Sequence, residues 1–124
     1  MRKILCCLLF GFLVCIISAS CLAEEKELLA GVYKVGVDIE AGSYTMSVPE
    51  ESFYEDRQIR EYDGCVLILF NNYESFFEYD AKNRTPYPHE IRCRVGGEAH
   101  FYVEDGMIID AHMYSIDRCY ITKE

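Results

Sequence analysis

The run Cys65-Val66-Leu67-Ile68-Leu69-Phe70 is apolar at every position. Successive side chains of an extended chain point to opposite faces, so a strand with no polar face must be covered on both sides. This run therefore reads as a central strand. Around it lie shorter segments rich in Val, Ile, Tyr and Phe: GVYKVG from Gly31, GSYTMSV from Gly42, SFFEY from Ser75, EIRCRV from Glu90, EAHFYV from Glu98, MIIDAHMYSI from Met107 and CYI from Cys119. Gly, Asp, Asn and Pro clusters separate them, and several alternate polar with apolar residues, as strands with one covered face do. A chain of 124 residues, 51% hydrophobic and 14% aromatic, has room for one such domain and argues against disorder, collagen and coiled coil. The expected fold is all-β, an antiparallel sandwich or small barrel of about seven strands over residues 31–124. Residues 24–30 form a charged lead-in. Residues 49–64 form a long polar loop around Phe53, Tyr54 and Tyr62, with room for a helical turn.

The segment EAHFYVEDGMIIDAH predicts a hairpin. A two-residue turn at Asp105-Gly106 would set Phe101 against Asp110 and drive a carboxylate into the core. A three-residue loop from Glu104 to a left-handed Gly106 pairs Val103 with Met107, Phe101 with Ile109 and Ala99 with Ala111, which leaves one face wholly apolar. The same register gathers His100, Asp110 and His112 on the outer face. Two imidazoles and a carboxylate are a set that zinc or copper accepts. The plainer reading is a weak cross-strand pair of exposed residues, because no ligand-spacing motif accompanies them.

The N-terminus places Arg2 and Lys3 before an uncharged stretch, Ile4 to Ile17, followed by SASCLA. This is the build of a secretory signal peptide, residues 1–23, with cleavage after Ala23. The apolar core is short of the roughly 20 residues that span a bilayer. Two other fates use the same residues: retention as an uncut anchor, and cleavage before Cys21 with lipidation there. Ser18 departs from the branched aliphatic residue that lipoprotein signals usually carry three before the cysteine.

Without residues 1–23 the chain keeps 10 basic against 21 acidic residues, a formal charge of −11. Such a surface repels phosphate backbones and anionic headgroups, so nucleic acid and anionic membrane are poor partners. Of seven cysteines, Cys65, Cys93 and Cys119 lie beyond the leader. An oxidising compartment favours a bond between two of them. Cys93 shares the apolar face of EIRCRV with Ile91 and Val95 and reads as a small core residue, which leaves Cys65 and Cys119 as the better disulfide pair.

The string Tyr33-x-Val35-Gly36-x-Asp38-Ile39-x-Ala41-Gly42-x-Tyr44 resembles the opening of small exported bacterial β-domains that usually read Y-x-V-G-x-D-I-P-A-G-x-Y. These occur in secreted proteins and lipoproteins, mainly of Gram-positive bacteria, and form a class without an established activity. Val103 to Ile109 is similar to their closing V-x-V-x-D-G-x-Y-L hairpin. Glu40 replaces the usual proline, and the stretch from Tyr73 to Gly97 is longer than the pattern. Some members place one cysteine beside the central strand and one near the C-terminus, which agrees with pairing Cys65 and Cys119.

No nucleophile with a base, glycine-rich phosphate loop or cofactor motif is present in the sequence. The expected function is accordingly non-enzymatic: an exported β-domain that binds a protein or glycan of the cell envelope, with no cofactor. Tyrosine is an efficient contact residue, and of ten tyrosines the loop residues Tyr54, Tyr62 and Tyr87 are the binding candidates. The alternative is a metal-binding or metal-dependent enzyme centred on His100, Asp110 and His112.

Overall fold

The computed structural model describes residues 24–81 and 88–124, without the side chains of residues 80 and 81. Residues 1–23, read from the sequence as a signal peptide, and the binding candidate Tyr87 lie outside the described residues. Among those described, eight strands form two antiparallel sheets. In the first, β1 (Glu25–Leu28), β8 (Cys119–Lys123), β3 (Gly42–Ser47) and β6 (Glu98–Val103) lie side by side in that order. In the second the order is β2 (Gly31–Lys34), β7 (Ile108–Tyr114), β4 (Gly64–Phe70) and β5 (His89–Arg94). Neither sheet closes on itself, so the architecture is an open two-layer one rather than a barrel.

β4 is buried along its whole length. Cys65, Leu67 and Leu69 meet Met46, Phe101 and Ile121 of the other sheet in the main core. Its opposite face carries Val66, Ile68 and Phe70, which with Ile108 of β7 form a second apolar cluster. What covers that cluster departs from expectation. SFFEY, read as a strand, belongs to a helix, α1 (Tyr73–Ala81). Asn72 caps it by accepting the Ser75 N–H at 2.8 Å, and Phe76 and Tyr79, three apart on one helical face, close on the Phe70 ring at 5.3 and 5.2 Å. Each such ring pair contributes about 1 kcal/mol beyond its burial.

The charged lead-in is likewise a strand. β1 pairs with β8 through Glu25↔Thr122 to Leu28↔Cys119. Its charges stay in solvent and Leu28 alone is buried, a composition that suits an edge strand because charge discourages pairing with a further chain.

The largest correction concerns the hairpin. Ala99, Phe101 and Val103 turn to the core, as do Met107, Ile109 and Ala111, yet β6 and β7 do not pair. β6 pairs with β3, Phe101 opposite Tyr44, while β7 lies between β2 and β4, with Ile109 opposite Tyr33 and Leu69. The turn, closed by the Met107 N–H donating to the Glu104 carbonyl at 3.2 Å, carries the chain from one sheet to the other. Val35 holds it there: its N–H donates to the Met107 carbonyl at 2.9 Å and its carbonyl accepts the Gly106 N–H at 3.0 Å.

Val35 belongs to the corner joining β2 to β3, which also changes sheet. The Asp38 carboxylate accepts the Lys34 N–H at 2.8 Å and the Gly36 N–H donates to the Ile39 carbonyl at 2.7 Å. Val35 and Ile39 plug the end of the core, and the Tyr44 hydroxyl donates to the Glu40 carbonyl at 2.6 Å. Every named position of the motif from Tyr33 to Tyr44 thus serves the corner or its flanking strands.

Candidate functional site

At the opposite end of the sandwich, residues 49–63 cross from the turn after β5 to the turn after β7. They begin with a one-turn 3-10 helix, Glu50–Ser52. Phe53 forms a single bridge with Ile116, and the Tyr54 N–H donates to the Ser115 carbonyl at 3.3 Å. The loop is fixed by a charge pair that no sequence pattern announces. Asp63 is wholly buried, and both its oxygens accept from the Arg57 guanidinium at 2.8 Å. The Arg60 N–H adds a third bond at 2.7 Å. Arg57 also donates to the Ser115 hydroxyl at 2.9 Å and covers the Phe53 ring. A buried carboxylate is tolerable only when paired and fully hydrogen-bonded, and here it is both.

The bonded Arg57 guanidinium holds the Asp63 carboxyl well below the usual carboxylate range, outweighing burial, which acts in the other direction. Because the folded value is the lower one, the pair stabilises the fold above the ordinary aspartate pKa, and that contribution is lost as pH falls below it. Denaturant melts between about pH 5 and about pH 2 should therefore show a steeper loss in the wild type than in Asp63→Asn, which starts less stable at neutral pH. Parallel pH profiles would exclude the pair as the anchor.

This anchoring leaves Tyr54 and Tyr62 outside, 66% and 56% exposed. The Arg60 guanidinium lies over one face of the Tyr62 ring and donates to its hydroxyl. Beside Tyr62 opens a cavity of about 460 Å³, lined by Glu61, Asp63, Gly64, Val66, Arg92 and Arg94 together with Cys65 and Cys93. Its size falls in the range of small-ligand sites. Arg92 and Arg94 alternate with the buried Cys93 on β5 and so share the outer face of their sheet. Arg92 contacts Glu90 at 3.3 Å. The Arg94 side chain has no polar partner among the described residues. Four of the eight described basic residues (Arg57, Arg60, Arg92 and Arg94) thus gather at this end of an acidic molecule.

A second, larger cleft of about 1240 Å³ lies at the corner end, between β1, residues 36–41 and the end of β8. Its lining is mainly acidic: Lys123 meets Glu40 at 2.8 Å and Lys26 donates to the Asp38 carbonyl at 2.6 Å, while Glu24, Glu25, Glu27, Asp105 and Glu124 add further carboxylates.

The metal candidates separate. His100 lies on the outer face of the first sheet, opposite Thr45, with its Nδ1 2.9 Å from the Glu124 carboxylate. Asp110 and His112 lie on the outer face of the second sheet, 3.1 Å from each other. The core stands between the two sites, because β6 and β7 belong to different sheets. Among the described residues no group of three or more His, Cys, Asp or Glu side chains could hold a metal ion.

Cys65, Cys93 and Cys119 are buried free thiols. Cys65 on β4 and Cys119 on β8 approach across the core, sulfur to sulfur, at 3.5 Å. Cys93 stands opposite Cys65 in the β4–β5 ladder but turns its sulfur to the Gly97 carbonyl at 3.3 Å. Burial pushes the Cys93 thiol up to about 11, and the Cys65 thiol is raised by its contact with Cys119 and by burial. Neither is a poised nucleophile.

No helix among the described residues is long and apolar enough to cross a membrane. No family model, curated protein or solved structure matches the chain.

Of the residues named from sequence, Tyr54 and Tyr62 both lie exposed on the loop at residues 49–63, and Tyr62 borders the cavity. Sequence reading missed Arg57, Arg60, Asp63 and Arg94. The alternation of EIRCRV does place Arg92 and Arg94 on one outward face, but nothing in it brings residue 62 alongside.

Proposed function

We propose that this protein is an exported, non-enzymatic binding domain that recognises a protein or glycan of the cell envelope through the end of the sandwich bearing Tyr54, Tyr62 and the Arg92–Arg94 cavity. In this reading residues 1–23 direct export and are removed, and Cys65 and Cys119 join once the chain meets an oxidising compartment. The observation that carries it is the contrast within one loop: Arg57 and Asp63 are locked inward while Tyr54 and Tyr62 are held outward, Tyr62 beside a cavity. Rigid aromatic rings lose little entropy on binding, and a fixed loop limits the ordering cost further.

The test is retention of residues 24–124 on isolated cell-envelope material. The doubly substituted Tyr54→Ala, Tyr62→Ala protein should lose most of its retention while keeping the wild-type melting temperature, since both rings are largely in solvent. Equal retention of the two proteins would refute this surface as the contact face.

A further inference from the structure

We infer that the cavity between Tyr62 and the Arg92–Arg94 edge is a subsite for a carboxylate-bearing sugar, so that the envelope ligand is an acidic glycan. The inference rests on the binding reading above and narrows it.

Three features of the cavity converge on this chemistry. The first is charge. In a chain this acidic, a neutral or cationic ligand would find carboxylates on most of the surface, whereas here Arg92 and Arg94 project from one strand face, and Asp63, one of the two lining carboxylates, is neutralised by Arg57. Glu61 is the remaining carboxylate of the lining, and Glu90 engages Arg92 only at 3.3 Å. Arg94, whose planar donor fork has no polar partner among the described residues, is the group best placed to take a carboxylate in two parallel bonds.

The second feature is the ring. Tyr62 offers a flat apolar surface and a hydroxyl at the cavity edge, and Arg60 braces it, so the ring is held in place before a ligand arrives. A sugar carries an apolar C–H face on one side and polar edges around it, which matches an aromatic ring beside charged donors. The third is size. The volume of about 460 Å³, with Gly64 and Val66 among the lining residues, suits a sugar unit rather than an extended polymer backbone. An acidic peptide would also find Arg94, but it has less use for the open ring.

The probe is a short oligogalacturonate titrated into residues 24–124 by calorimetry, with the methyl-esterified oligosaccharide as its uncharged match and a peptide rich in aspartate as the competing class. The oligogalacturonate should bind saturably and more weakly as salt is raised. The esterified form should not bind. Arg94→Gln and Tyr62→Ala should each weaken binding by about tenfold or more, the effect of losing one charge-assisted hydrogen bond or one ring contact, whereas Lys34→Gln, on a distant strand, should leave it unchanged.

Absence of oligogalacturonate binding overturns the inference, as does binding insensitive to Arg94→Gln and Tyr62→Ala. Binding of the aspartate peptide alone also overturns it, yet leaves the envelope-binding reading intact. Loss of envelope retention on Tyr54→Ala, Tyr62→Ala without any oligogalacturonate affinity likewise separates the two.

Discussion

Replacing Gly64 by alanine should cost about 3 kcal/mol or more of folding stability, the largest loss expected from any single methyl group in this protein. A Cβ at this position would lie 2.1 Å from the Cys93 carbonyl oxygen and 3.0 Å from the Arg94 Cα, and both are backbone atoms that no rotamer change can move. The residue also has a φ of +147°, which L side chains rarely adopt. Relief requires β5 to part from β4 where the Gly64↔Arg94 pairing begins. The bond from the Val95 N–H to the Asp63 carbonyl, 3.1 Å long, would stretch with it and loosen the Arg57 anchor. Urea melts of Gly64→Ala and Gly106→Ala make the measurement. Gly106 also has a positive φ, +90°, but nothing lies within 4 Å of its added Cβ, so it reports backbone strain without the clash. Equal losses would mean that the close approach of β5 does not matter.

The second large effect concerns the cysteines. Oxidation of the folded chain should join Cys65 to Cys119, the two thiols giving up two protons and two electrons to an external protein disulfide. The bond would tie β4 of one sheet to β8 of the other across a separation of 54 residues and stabilise the fold by about 4 kcal/mol in the chain-entropy model. Alkylation of the denatured, unreduced protein should then label Cys93 alone. Reductant should lower the melting temperature of the wild type and leave that of Cys119→Ala unmoved. Three labelled thiols in protein recovered from outside the cytoplasm would refute the bond, and the protein would then rely on packing alone.

Much of the fold is legible in the residues because it follows from period and local chemistry. CVLILF must be covered on both faces, and it is, by the opposing sheet and by α1. The motif from Tyr33 to Tyr44 spells out a corner, and Asp38 caps the Lys34 amide within it. Helix α1 was obscured because SFFEY carries strand-like residues in a window too short to separate the two periods. The informative signals were Asn72, a cap that precedes the window, and the three-residue spacing of Phe76 and Tyr79 within it. β1 was obscured because three of its four residues are charged.

The candidate site was legible only in pieces. Tyr54 and Tyr62 fall in a polar loop, and loop tyrosines tend to face solvent. That Arg57 and Asp63 would bury a bidentate pair beneath them depends on Ser115 and Phe53 arriving from elsewhere. Likewise His100, Asp110 and His112 are each outward-facing, as alternation requires, yet a shared outward parity does not make them neighbours.

The amino-acid sequence by itself determined the extended class of the chain, the inward and outward side of nearly every strand residue, the corner at residues 35–42 and the acidity of the surface. These are properties of the local backbone and of composition. The tertiary structure alone decided which strands lie together: it set β6 beside β3 and β7 beside β4, brought Cys65 to Cys119, and carried Tyr62 to the Arg92–Arg94 edge. Alternation repeats identically whichever neighbour a strand takes, so the choice falls to long-range closure of the core and to the few contacts, such as Val35 with the turn at Glu104–Gly106, that force the chain to change sheets.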